Sequence, residues 1–134
     1  MQSVFAFASG SVSACEHVIV ELETNDKRIG RGSIVTMPWL YGDTTSNVVS
    51  AVKLLKSAAI GQDPFDIETI HSSMEKLMFG NAHAKAAIDF ACHDLMGQLT
   101  SLPVCKLIGG QYRDRIDCTW VIGFRGVDER PHVE

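Results

Sequence analysis

No run of the sequence is apolar for long enough to cross a bilayer. The two most apolar stretches, around Val18–Leu22 and Ala86–Cys92, are short and interrupted, whereas a spanning helix needs about 20 such residues. No basic stretch leads into an apolar one at the start, which argues against a signal peptide. Lysine and arginine are few: 12 stand against 16 aspartates and glutamates, they are scattered, and the net charge is -4. Nothing in that pattern would neutralise a row of phosphates, so nucleic acid is not an expected partner. Cysteine is sparse and dispersed, with Cys15, Cys92, Cys105 and Cys118 forming no C-x-x-C pair. These read as free, mostly buried thiols in a reducing cytoplasm rather than as a disulfide framework or a zinc site. The expected protein is therefore cytoplasmic, with neither a membrane nor a nucleic acid among its partners.

What is present is the composition of an ordinary globular protein, 46% hydrophobic and 21% charged over 134 residues. A chain of that length buries roughly 70% of the surface its unfolded form exposes, which is enough for one cored domain. Residues 1–14 carry no charge and no helical period and read as a loop or frayed strand. From Cys15 to Thr24 the chain alternates, with Val18, Val20 and Leu22 set against His17, Ile19, Glu21 and Glu23, the period of a half-buried strand. Asn25-Asp26-Lys27 is turn chemistry, Asn and Asp tolerating the positive φ of a tight hairpin. Arg28 to Val35 then returns antiparallel, Gly30 and Gly32 allowing a close backbone approach or a bulge.

Thr36 to Asn47, with Pro38, Trp39, Tyr41 and Gly42, reads as a long ordered loop of the kind that carries function. Three helices follow. Thr44 or Thr45 caps the first, whose Val48, Val49, Val52, Leu55 and Ala59 share a face before Gly61 ends it. The second spans about Asp66 to Phe79, with Ile67, Ile70, Met74, Leu77 and Met78 inward. The third, about Ala82 to Leu99, carries the strongest stripe: Ala84, Ala87, Ile88, Ala91, Cys92, Leu95 and Leu99. Its small residues let another element come close, which makes this helix central. Pro103 to Ile108 reads as a short helical turn, Gly109-Gly110 as a change of direction, and Ile116 to Ile122 as one more strand. Asp89 and His93, at i and i+4, have metal-ligand spacing without a third ligand, and read as an exposed polar face. Gly109-Gly110 beside Arg113 reads as a structural turn, with Arg113 or Arg115 pairing to an acid such as Asp94.

The run from Ala84 to Gln98, with Asp89 and Asp94 inside it, continued by Leu102-Pro103-Val104 to Gly109-Gly110 and by Arg113 to Ile116, resembles the N-terminal signature of the mandelate racemase and muconate lactonizing enzyme family, in the enolase superfamily. Weaker likenesses run back through Ala14–Asp26 and through Gly42-Asp43-Thr44-Thr45, similar to the entry to the family's first helix, and the run Tyr41 to Thr45 leans towards the muconate lactonizing and dipeptide epimerase branch. Two substitutions depart from the pattern: Ser33 stands where the family commonly has Glu, and Cys92 where it has Leu or Ala. The resemblance implies an α+β fold, a small antiparallel β-hairpin sheet followed by a three-helix bundle, like the enolase N-terminal domain. Members begin with a further strand and continue as a modified TIM barrel. The chain is accordingly expected to lack the first strand and to stop before the barrel, with 1–115 as capping domain and 116–134 as the remnant of the first barrel strand and tail.

Full-length members, the resemblance implies, abstract a proton α to a carboxylate and stabilise the enediolate on magnesium, using ligands and bases at barrel strand ends. No catalytic residue, metal ligand or cofactor is therefore expected in this chain, although magnesium is expected for a full-length enzyme. What the family's capping domain supplies is two loops over the barrel mouth, here about Phe5 to Ala14 and Val35 to Asn47. Phe7, Ser9, Ser11, Met37, Trp39 and Tyr41 are the candidates for contact with a small carboxylate substrate; packing of the aromatics against their own domain is the competing reading. The expected function is thus a specificity cap for a racemase, epimerase, cycloisomerase or acid-sugar dehydratase, inactive alone. The alternatives are a stand-alone interaction module and a truncated product without function. A two-stranded hairpin is marginal and leaves an open edge, so a homo-oligomer is expected, exchange of segments being one way to form it.

Overall fold

The structure, a computed structural model, describes residues 5–7 and 10–119, with side chains from Val12 onward. The described residues divide into two compact units, Glu16–Tyr112 and the segments that flank it. In the flanking unit β1 (Phe5–Phe7) and β2 (Gly10–Val12) pair antiparallel, Phe5 opposite Val12. Three-residue strands are too short to show a period, which is why this hairpin reads as loop in the sequence. At the other end, Ile116–Thr119 joins no strand. Extended chain becomes a strand only beside a partner that completes its hydrogen bonds, and the described residues supply none there; residues 120–122 of the expected strand lie outside the described part.

The larger unit is an α+β fold: a two-stranded sheet and helices in the order β3 (Glu16–Glu23), β4 (Ile29–Thr36), α1 (Pro38–Tyr41), α2 (Thr45–Leu55), α3 (Ile67–Leu77), α4 (Ala82–Thr100) and α5 (Val104–Leu107). β3 and β4 pair antiparallel, with Val20 opposite Gly32 and Leu22 opposite Gly30. The alternation sends Val18, Val20 and Ile34 inward and leaves Ile19 exposed. In the turn it is Lys27, not Asn25 or Asp26, that takes positive φ, at 68°. The amides of Thr24 and Lys27 close a turn that ends on one left-handed residue. Asp26 has a different task. Its carboxyl is held below the ordinary carboxylate range, chiefly by the Thr24 hydroxyl and next by Arg28.

α4 lies along the inner face of the hairpin, closer than side chains would normally permit. A Cβ on Gly32 would fall 1.9 Å from the Ala87 carbonyl oxygen, and one on Gly30 would fall 2.3 Å from that of Ala91. The glycines of the strand and the alanines of the helix are therefore two halves of one contact. The helix also completes the open edge of β4. Asp94 Oδ2 accepts from the Arg31 amide at 2.8 Å, while Gln98 Nε2 donates to the Ile29 carbonyl at 2.8 Å and to Asp94 at 3.1 Å. Asp94 thus serves the edge of β4, and Arg115 pairs with Asp117 at 3.5 Å.

The remaining helices pack on α4 through Leu55, Ile70, Met74, Ile88 and Cys92, all essentially buried. α2 is capped by Thr44, whose hydroxyl accepts from the Asn47 amide at 3.2 Å. It ends at Leu55 and passes through a 3-10 turn, Lys56–Ala58, before Gly61. Leu77 and Leu99 close their stripes half-exposed, since each stands at the end of a helix. Of the four free cysteines only Cys92 is buried. No helix among the described residues is long and apolar enough to cross a membrane.

Candidate functional site

The segment between β4 and α2 is an ordered loop held at both ends. At its base the Thr36 and Thr45 hydroxyls lie 3.0 Å apart, closing the loop between the last residue of one element and the first of the next. Thr45 donates to the Glu16 carboxylate, so Thr36, the one buried polar residue among those described, shares its single proton between Thr45 and the Glu16 carbonyl at 3.3 Å. Within the loop, Pro38 starts the single turn α1, where its missing N–H costs nothing. Gly42 stops that turn at φ 78°, its amide donating to the Pro38 carbonyl at 2.9 Å.

The tip is fastened to the first turn of α4. His83 Nδ1 donates to Asp43 Oδ2 at 2.5 Å, and the Tyr41 ring sits against the same imidazole with centroids 4.9 Å apart, tilted by 57°. α1 buries none of its residues. Trp39, Leu40 and Tyr41 are 52%, 54% and 53% exposed, and Met37 is half-buried. The structure thus brings Met37, Trp39 and Tyr41 together on one loop and adds Leu40, Asp43 and His83, which the sequence did not single out. Asp43 stood inside the Gly-Asp-Thr-Thr segment, but His83, 40 residues away, carried no local signal. Of the other candidates, Phe7 and Ser11 have only their backbone described and Ser9 lies outside the described residues.

A second polar cluster joins α3 to α4. His71 Nε2 donates to Asp89 Oδ1 at 2.7 Å, and His93 Nδ1 lies 3.4 Å from Asp89 Oδ2 and 3.1 Å from the Asp89 carbonyl oxygen. Asp89 and His93 are part-buried there, not the exposed polar face that their spacing suggested. The cluster offers magnesium one carboxylate, already engaged, and two nitrogens, whereas that ion prefers a shell of oxygens. Among the described residues no group of three or more His, Cys, Asp or Glu is placed to hold a metal ion. Cys92 lies beside this cluster, and burial first, with the Asp89 charge second, pushes its thiol up to about 11.

A cavity of about 900 Å³ opens beside the outer edge of β3, floored by Val18, Val20 and Leu22 and walled by Val49 and Val52 of α2. Among the described residues no strand pairs with that edge.

Comparison with known proteins places these features. Residues 1–109 match the model of the mandelate racemase / muconate lactonizing enzyme family, N-terminal domain. An N-succinyl-L-Arg/Lys racemase of Bacillus cereus is 37% identical over 123 residues, which are 91% of this chain and 33% of that protein. The structure of a dipeptide epimerase of Enterococcus faecalis V583, complexed with Mg and the dipeptide L-Leu-L-Tyr, superposes with a TM-score of 0.76 at 38% identity. It covers 81% of this chain and 31% of that one. A 2-chloromuconate cycloisomerase of Rhodococcus opacus 1CP gives a TM-score of 0.84 at 33% identity, over 91% of this chain and 34% of that one. The chain spans about a third of the length of the relatives that it matches.

Proposed function

This chain belongs to the mandelate racemase / muconate lactonizing enzyme family, matching its N-terminal domain, and from that premise we propose that it caps the active site of a magnesium-dependent isomerase or lyase acting on a small carboxylate. The observation that carries this reading is the aromatic loop, held at its base by Thr36 and Thr45 and at its tip by His83, with Trp39, Leu40 and Tyr41 outward. A short helix that buries none of its own side chains, yet is fixed at two points, is a surface prepared for something else to meet. In this reading Trp39 and Tyr41 touch the part of the substrate remote from the reacting carbon, and Phe7, Ser9 and Ser11 approach from the other loop. Their contribution is selection and exclusion of water, not proton transfer. In this reading magnesium and the base belong to a barrel, with 1–115 as the cap and 116–134 as the remnant of the first barrel strand and tail.

Joining residues 1–119 to the barrel of the Enterococcus faecalis dipeptide epimerase tests the assignment. Trp39→Ala in that chimera is expected to change the ratio of kcat/KM for bulky and small dipeptides by about tenfold, the effect of reshaping an apolar pocket. An unchanged ratio removes the loop from the substrate.

The open edge of β3 favours a second role, association with another copy of the chain. An edge carrying free backbone groups beside an apolar trough is a template for strand pairing. Antiparallel pairing centred on Val20 would set His17 opposite Glu23 of the other copy and bring Val18 and Leu22 together. Light scattering of the purified chain is expected to give a dimer that dissociates on dilution; a monomer throughout the range removes this role.

A further inference from the structure

We propose that His83 is a positioning residue for the aromatic loop: through Asp43 it latches the loop tip to the start of α4 and so sets where Trp39, Leu40 and Tyr41 face. The two attachments of the loop differ in kind. Its base is a hydroxyl pair, Thr36 with Thr45, backed by Glu16 and adjoining the sheet. Its tip is a four-residue helix that buries nothing, and one turn of helix has little stability of its own. Two contacts reach that tip from a single imidazole, the hydrogen bond to Asp43 at 2.5 Å and the ring contact with Tyr41 at 4.9 Å. Between them lies Gly42 in the left-handed region, with open space around the position that a Cβ would take. His83 stands in the first turn of α4, the helix that packs on Gly30 and Gly32. The latch therefore ties the loop to the helix on which the hairpin packs.

The consequence for substrate choice rests on the proposed capping function, but the latch itself is tested without any substrate. Amide hydrogen exchange of the full 134-residue chain reports on Leu40, Tyr41 and Gly42, whose amides donate to the Met37 and Pro38 carbonyls. In His83→Ala these three are expected to exchange at least about tenfold faster, the scale of losing a hydrogen bond to a charged group, while the α4 amides from Ala87 to Leu95 keep their protection. Asp43→Ala, which leaves α4 untouched, should match it, and Asp43→Asn, which keeps an acceptor for Nδ1, should restore most of the protection. Wild-type exchange at the tip in Asp43→Ala overturns the latch, as does acceleration that spreads equally through α4. Should the latch fail while Trp39→Ala still alters the chimera's selectivity, the capping function stands without it. Should the latch hold while selectivity is indifferent to Trp39, the capping function falls alone.

Discussion

Gly32→Ala is expected to cost the fold about 3 kcal/mol or more, a large share of the roughly 5–15 kcal/mol by which domains of this kind are stable. The added methyl would fall 1.9 Å from the Ala87 carbonyl oxygen and 2.8 Å from the Ala91 amide nitrogen. Both neighbours are helix backbone, which cannot rotate out of the way as a long side chain would. α4 would have to retreat from the hairpin along its length, and that retreat loosens Ile88 and Cys92 from the shared core and strains the bonds from Asp94 and Gln98 to β4. Overpacking of this kind has no cheap relaxation. Gly42→Ala is the control, since only its left-handed φ of 78° resists the methyl and the expected cost is about 1 kcal/mol. Urea midpoints of the two variants check the ordering. A Gly32→Ala chain as stable as the control would mean that the helix and the strand do not meet as described.

That contact was half legible beforehand. The stripe of Ala84, Ala87 and Ala91 announced a helix built for close approach, and Gly30 with Gly32 announced a strand that tolerates one, but neither pattern names its partner. The hairpin was equally open to reading, because Val18, Val20 and Leu22 alternate with polar residues across a buried face. Positions governed by distant partners were not. Asp89 looked solvated until His71, 18 residues earlier, took its carboxylate. Asp94 suggested a cation as partner, as a carboxylate does, and nothing local announced that it would accept from the Arg31 amide of a strand 63 residues away. Leu99 belongs to the stripe by spacing, but Leu95 already meets Gly30 near the start of β4, and one turn further along the helix Leu99 is only half-covered. For the aromatic loop, its length and its Trp and Tyr marked a feature with a purpose. The residue that fixes its tip, His83, was invisible for the same reason as His71.

The second large effect concerns chemistry. Proton abstraction from a carbon next to a carboxylate needs a tuned base and a stabilised enediolate, and enzymes accelerate such steps by about a millionfold or more. The Asp89 carboxylate is engaged by His71, with His93 beside it, the Cys92 thiol is buried and protonated, and His83 is committed to Asp43. The loop, by contrast, carries Trp39, Leu40 and Tyr41 about half-exposed.

The most direct measurement is therefore α-proton exchange. The purified 134-residue chain is incubated in D2O with magnesium and a panel of hydrophobic dipeptides and N-succinyl amino acids, and deuterium at the α-carbon is followed by mass spectrometry. No incorporation above the protein-free control is predicted, whereas incorporation that rises with protein concentration and follows the protein through repurification would contradict the assignment of this chain as a cap.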